Sequence, residues 1–153
     1  MSALELKIPP VALTLIFGGV MWLVSVLFPA FGFSMPWRLA IAMVIASAGL
    51  IFALAGVIAF RKAGTTLNPT RPVNATAVVT SGAYRWSRNP MYVGLLFALA
   101  GWAVFLSNAV AFLFLPAFIT YMNRFNIWPE ERALASLFGN EYSAYTQSVR
   151  RWL

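Results

Sequence analysis

Ser81-Gly82-Ala83-Tyr84-Arg85-Trp86-Ser87-Arg88-Asn89-Pro90-Met91-Tyr92-Val93-Gly94 is a polar stretch set between very apolar segments. It divides the chain into two pairs of apolar runs. It also concentrates arginine, tyrosine, tryptophan and a turn-forming Asn89-Pro90 where mere residence in a membrane asks for none of them. The runs on either side therefore set the fold class, and this stretch sets the chemistry.

The composition around it is that of a membrane protein. Hydrophobic residues make up 61% of the 153 and charged residues only 10%, too few to cover a soluble domain of this size. Pro9-Pro10 opens a first span to about Phe28, with proline tolerated in the first turn because its missing N–H had no helical partner there. A second span covers about 37–60. In it Ala42, Ala46, Gly49, Ala53 and Gly56 recur at steps of three or four, giving a smooth face for close helix packing in lipid. The third and fourth spans, about 90–106 and 109–125, form a helical hairpin turned by Ser107-Asn108, with a kink expected at Pro116. About 20 residues at roughly 1.5 Å each cross a hydrocarbon core, so the last two are short. The expected fold is a single all-α membrane domain of about four transmembrane helices.

Two polar regions complete it. Residues 61–89 form a loop rich in turn formers, with Thr76–Thr80 short, β-branched and extended. Residues 128–153 form a tail in which Pro129, Glu130 and Glu131 mark a helix start and Gly139-Asn140 a stop. Its basic end, Arg150-Arg151-Trp152-Leu153, suits the lipid interface. Arg85, Arg150 and Arg151 are expected to set topology, Trp86, Trp128 and Trp152 to anchor at the interface, and Tyr142 and Tyr145 to pack the tail onto the hairpin.

Charge gives the orientation. Four spans place Lys7, Arg61, Lys62, Arg71, Arg85, Arg88, Arg124, Arg132, Arg150 and Arg151 on one side and Arg38 alone on the other. By the positive-inside rule the rich side, with both termini, is cytoplasmic, in a multi-pass inner-membrane topology. The same clustering beside apolar spans argues against nucleic acid as the partner of the +7 net charge.

The missing residues narrow the chemistry. The chain has no cysteine, histidine or aspartate, leaving Glu5, Glu130, Glu131 and Glu141 as its side-chain carboxylates. Thiolate and histidine metal sites are thereby excluded, and most hydrolytic mechanisms meet an obstacle. Methyl transfer from S-adenosylmethionine is compatible, because an in-line displacement gains much of its rate from positioning and an ionised nucleophile needs no base.

The pattern Gly82-x-Tyr84-x-x-x-Arg88-Asn89-Pro90-x-Tyr92-x-Gly94, joined downstream by Glu130-Glu131-x-x-Leu134-x-x-x-Phe138-Gly139-x-Glu141-Tyr142-x-x-Tyr145, resembles the isoprenylcysteine carboxyl methyltransferase family, itself similar to membrane phospholipid methyltransferases. The resemblance covers about residues 76–149. It implies S-adenosylmethionine as cofactor, lined by Thr76, Ala77, Val78, Val79 and Tyr84, held by Asn89, Pro90, Met91 and Tyr92, and met at its amino-acid end by Glu130. It implies catalytic roles for Arg88 and Glu131, and a lipophilic methyl acceptor entering from the bilayer. Asn89 and Thr76 stand where members with prenyl-protein activity carry histidine. Asn126 stands where the family has an arginine for the substrate carboxylate, with Arg124 nearby, so these two are the candidate substrate residues.

Overall fold

A computed structural model of the chain describes residues 5–64 and 75–153. The middle of the expected 61–89 loop, with Arg71, lies outside the described residues. The architecture is all-α, with α1 at Pro10–Leu27, α2 at Arg38–Ala63, α3 at Pro90–Leu106, α4 at Ala109–Phe112, α5 at Phe114–Tyr121 and α6 at Trp128–Ser148. Two helices, α1 and α2, and the continuous run 109–148 are long and apolar enough to cross a membrane, while α3 is apolar but shorter. Leu15, Val44 and Ile51 on the outer faces are exposed, as side chains facing lipid should be.

The small-residue face of α2 packs on α3. A Cβ placed on Gly49 would lie 2.7 Å from the Gly94 carbonyl oxygen, and one on Gly94 would lie 2.6 Å from that of Gly49. The two backbones touch there, which only glycine permits. At the opposite end the helices are closed by the expected turn. Ser107 is left-handed at φ 49°. The buried Asn108 caps α4 through Val110 N–H at 3.0 Å and donates to the Phe28 carbonyl at 3.0 Å, tying the hairpin to the end of α1.

Pro116 in the fourth span and Pro129 beyond it both act through the carbonyl four residues back. Pro116 cannot bond to Phe112, and the helix breaks there, at the junction of α4 and α5. Pro129 cannot bond to Phe125, yet the helix does not end. It widens into a π-helical segment, Met122–Ile127, and runs on into α6. The Phe125 carbonyl accepts instead from Leu6 N–H at 2.9 Å. The helix start expected at Pro129 is therefore the continuation of the fourth span, because the N-terminal segment supplies the donor that proline lacks.

Gly139 does not stop α6 either. At φ 50°, ψ −118° it bends the helix, which then resumes. The bend returns Tyr142 and Tyr145 to Ala59, Val79 and Tyr84, forming a second small core. Tyr145 Oη donates to the Tyr84 carbonyl at 2.8 Å. The two tyrosines thus pack the tail on the polar stretch rather than on the hairpin. The larger core, around Leu13, Met21, Tyr92, Leu99, Phe118 and Met122, joins α1, α3 and α5.

Candidate functional site

The site forms where the start of α3, the start of α6 and the last four residues meet. Pro90 opens α3 and is fully buried, while Met91 fits against Gly56 of α2, so these two anchor the helix end. Tyr92, in the same first turn, donates its hydroxyl to Glu130 Oε2 at 3.0 Å. Among the described residues no lysine or arginine pairs with Glu130. Burial pushes its carboxyl up to about 7, the Tyr92 hydrogen bond pulls it back in part, and the neighbouring Glu131 charge adds to the rise. Glu130 is a carboxylate in want of a cation.

Glu131 is the opposite case. Arg88 Nη1 approaches its Oε1 at 3.3 Å, and Arg151 forks onto both oxygens, with Nε to Oε1 at 3.1 Å. The Arg151 guanidinium also lies 6.0 Å from the Trp128 ring centre. Arg88 Nε is buried without an acceptor among the described residues. Beside this cluster opens a cleft of about 500 Å³ walled by Arg88, Trp128, Glu131, Tyr142, Ser143 and Thr146, within the range that takes a small molecule.

The 3-10 turn Gly82–Arg85 supplies the next wall. Tyr84 is buried with its ring 5.2 Å from Phe60, and burial together with the Glu130 charge holds its hydroxyl well above the usual tyrosine range. Val79 is buried in the same core and Val78 packs against it. Ala77 is half-buried and Thr76 exposed on the irregular approach. The structure thus gathers Tyr84, Arg88, Tyr92, Glu130 and Glu131 around one place.

Three expected residues spend their polar groups on the protein itself. Asn89 donates its amide to the Arg151 carbonyl at 3.0 Å, so that group latches the tail. Arg124 pairs with Glu5 at 3.7 Å and lies over Phe125 and Trp128. Asn126 is buried and donates to the Ile8 carbonyl at 3.4 Å. Arg124 and Asn126 are thus both attached to the N-terminal segment. Conversely, Arg151 and Ser87 belong to the site although no sequence pattern marks them for it. Ser87 is fully buried, accepts from the Asn89 N–H at 3.0 Å and reaches the Arg151 carbonyl at 3.3 Å.

The model of the phospholipid methyltransferase family matches residues 37–141, from the start of α2 to just past the Gly139 bend. The chain belongs to this family. The match takes in both halves of the site, the Arg88–Tyr92 turn and the Glu130–Glu131 pair. Similarities to individual methyltransferases agree with it. The chain is 30% identical over 112 residues to protein-S-isoprenylcysteine O-methyltransferase of Rattus norvegicus, covering 69% of this chain and 39% of that protein. It is 36% identical over 75 residues to the Tribolium castaneum protein of the same name, covering 47% and 26%. An uncharacterized protein of Haemophilus influenzae is 48% identical over 63 residues, covering 41% of this chain and all of that one. The chain therefore spans well under half the length of the isoprenylcysteine methyltransferases it matches.

Proposed function

We propose that the chain binds S-adenosylmethionine at the Tyr92–Glu130 pair and transfers its methyl group to a lipophilic acceptor, an isoprenylcysteine-like carboxylate or related oxygen or sulfur nucleophile. The observation that carries this is Glu130, a desolvated carboxylate that accepts from a neutral hydroxyl and lacks a cation among the described residues. Bound there, the cofactor supplies an electrophilic methyl group. Glu130 would receive its ammonium, Tyr92 would fix the carboxylate, and Tyr84 with Val78 and Val79 would give the apolar wall for its adenosine. The unpaired Arg88 Nε offers a donor to an anionic group of cofactor or acceptor.

What remains for the protein is positioning and charge. An acceptor that arrives ionised or with a free lone pair needs no general base, which suits a chain without histidine, aspartate or cysteine. The Arg88–Glu131–Arg151 cluster keeps a net positive charge beside the cleft, which favours an anionic acceptor. Ten of the eleven basic residues fall on the side of this site in the four-span topology, so we place it at the cytoplasmic face of the cell membrane.

A second acceptor class is favoured by Asn126. Its amide is spent on Ile8, and no arginine replaces it at that point to hold a prenylcysteine carboxylate. A phospholipid or small-thiol acceptor is compatible with that. The test is transfer of labelled methyl from S-adenosylmethionine to lipid extracts and to a prenylcysteine analogue, by protein in nanodiscs. Label in an extractable lipophilic product supports the proposal and its identity chooses the acceptor. Absence of transfer with cofactor binding intact would leave a non-catalytic binding protein.

A further inference from the structure

The last four residues are bound to the protein along their backbone. Their backbone is stitched to the polar stretch at successive positions. Arg88 N–H donates to the Arg150 carbonyl at 2.9 Å, while Ser87 Oγ and Asn89 Nδ2 both donate to the Arg151 carbonyl. Trp152 Nε1 then donates to Asn123 Oδ1 at 3.1 Å in the π-helical segment. The two adjacent arginines part company on this strap. Arg150 is exposed, whereas the Arg151 guanidinium turns inward onto Glu131.

An arginine serving as a lipid anchor would send its head outward to phosphate. This one instead makes a two-point fork on a carboxylate that already has a partner in Arg88, against the face of Trp128. Glu131 is the immediate neighbour of Glu130, so how its charge is offset adds to what burial and the Tyr92 hydrogen bond already do to Glu130. Among the described residues, the other titratable groups facing Glu130 are Tyr92 from α3, Tyr84 from the 3-10 turn and Tyr142 from the second half of α6. None of these carries positive charge, which leaves the two arginines on Glu131 to offset the repulsion between the acids.

We infer that Arg151 is a positioning residue of the methyl-donor site: by neutralising Glu131 it lets Glu130 stand ionised for a cationic ligand, and the C-terminal strap is a working part of that site. This rests on the proposal that Glu130 receives the ammonium of S-adenosylmethionine. Arg151 itself need not touch the ligand. Arg88 alone, a single contact at 3.3 Å, leaves a formally neutral pair when the fork is lost, and the net positive charge beside Glu130 goes with it.

The test is calorimetric binding of S-adenosylmethionine to the full chain in detergent across pH. In the wild type, affinity rises as Glu130 ionises. In Arg151→Gln the midpoint of that rise moves up by about one pH unit, which makes binding near neutrality about ten-fold weaker. Arg151→Lys keeps the charge and holds the wild-type midpoint. Arg150→Gln, removing the same charge from the exposed neighbour, also leaves it in place. In a Glu131→Gln background, adding Arg151→Gln moves the midpoint by less than it does in the wild type, since the carboxylate that holds the guanidinium in place is gone.

An Arg151→Gln protein with the wild-type midpoint overturns the inference even where its affinity is uniformly lower, because a merely structural role does that. A raised midpoint in Arg151→Lys overturns it as well, and can be read where Arg151→Gln does not fold. Absence of binding by the wild type at every pH overturns the cofactor proposal itself and this inference with it. Normal wild-type binding with unmoved variants overturns the inference alone.

Discussion

Replacing Glu130 with glutamine should stabilise the ligand-free protein while damaging its site. The carboxyl is held at about 7 in the fold against an ordinary 4.5. At about 1.4 kcal/mol per pH unit, ionising it in place costs about 3 kcal/mol more than in the unfolded chain. The sign comes from a raised folded value. Below 4.5 the group is neutral in both states, and the wild type and Glu130→Gln are alike. From there to about 7 the unfolded chain releases its proton first, so wild-type stability falls, and above 7 the full difference is present. Glutamine has no charge to bury and its amide oxygen still accepts from Tyr92, so its stability lacks this slope. The assay is thermal unfolding in one detergent at about pH 4.5, 6 and 8. The apparent Tm of Glu130→Gln should match the wild type at the lowest pH and exceed it by several degrees at about pH 8. Equal melting curves for the two proteins at the highest pH would refute the reasoning, since the carboxylate would then not be desolvated. Such a gain in stability on losing a functional carboxylate is the expected signature of a site built for a ligand.

Other perturbations probe the surrounding parts. Tyr92→Phe removes the hydroxyl that stabilises ionised Glu130; cofactor affinity should fall about ten-fold near neutrality, as losing a hydrogen bond to a charged group implies, with the folded state retained by circular dichroism. Gly49→Ala puts a methyl 2.7 Å from the Gly94 carbonyl oxygen, and α2 should separate from α3 at a cost of about 1–3 kcal/mol, seen as a lower apparent Tm in the same detergent. Asn108→Ala removes the cap of α4 and the bond to the Phe28 carbonyl together; a loss of about 1–2 kcal/mol is expected, read by the same melt.

The parts of the molecule that are legible in sequence are those in which a local pattern has a direct physical meaning. The step of three or four in Ala42, Ala46, Gly49, Ala53 and Gly56 could only serve a close neighbour, and α3 is that neighbour. Ser107-Asn108 reads as a turn because asparagine can cap the next helix. Pro129 shows the limit of such rules. A proline whose orphaned carbonyl is served from elsewhere, here by Leu6 N–H, need not start or end a helix, and nothing local announces the distant donor. Gly139 likewise reads as a stop and acts as a bend. Once the bend is missed, the return of Tyr145 to Tyr84 and of Arg151 to Glu131 is missed too.

That Tyr92 and Glu130 share one site is legible through family resemblance rather than local pattern, since they meet only when the hairpin closes; the hydrogen bond between them is a finding of the structure. The gathering of Arg88 and Glu131 at that site is legible on the same ground. The role of Asn89 is not, because its partner is a backbone carbonyl on the strap, and carbonyls leave no trace in sequence. Arg124 and Asn126 draw attention by their spacing to the acids, but the π-helical segment and the N-terminal residues packed on it determine where those side chains go.

The central claim is that Glu130 is the anchor for the cation of a methyl donor. The most direct measurement is equilibrium binding of S-adenosylmethionine to purified wild type and Glu130→Gln at about pH 8, by calorimetry in detergent. Saturable binding at one site is expected in the wild type, with affinity at least about ten-fold weaker in the variant, as loss of a charge-assisted pair requires. Equal affinity in the two proteins, or no binding to the wild type, would contradict it.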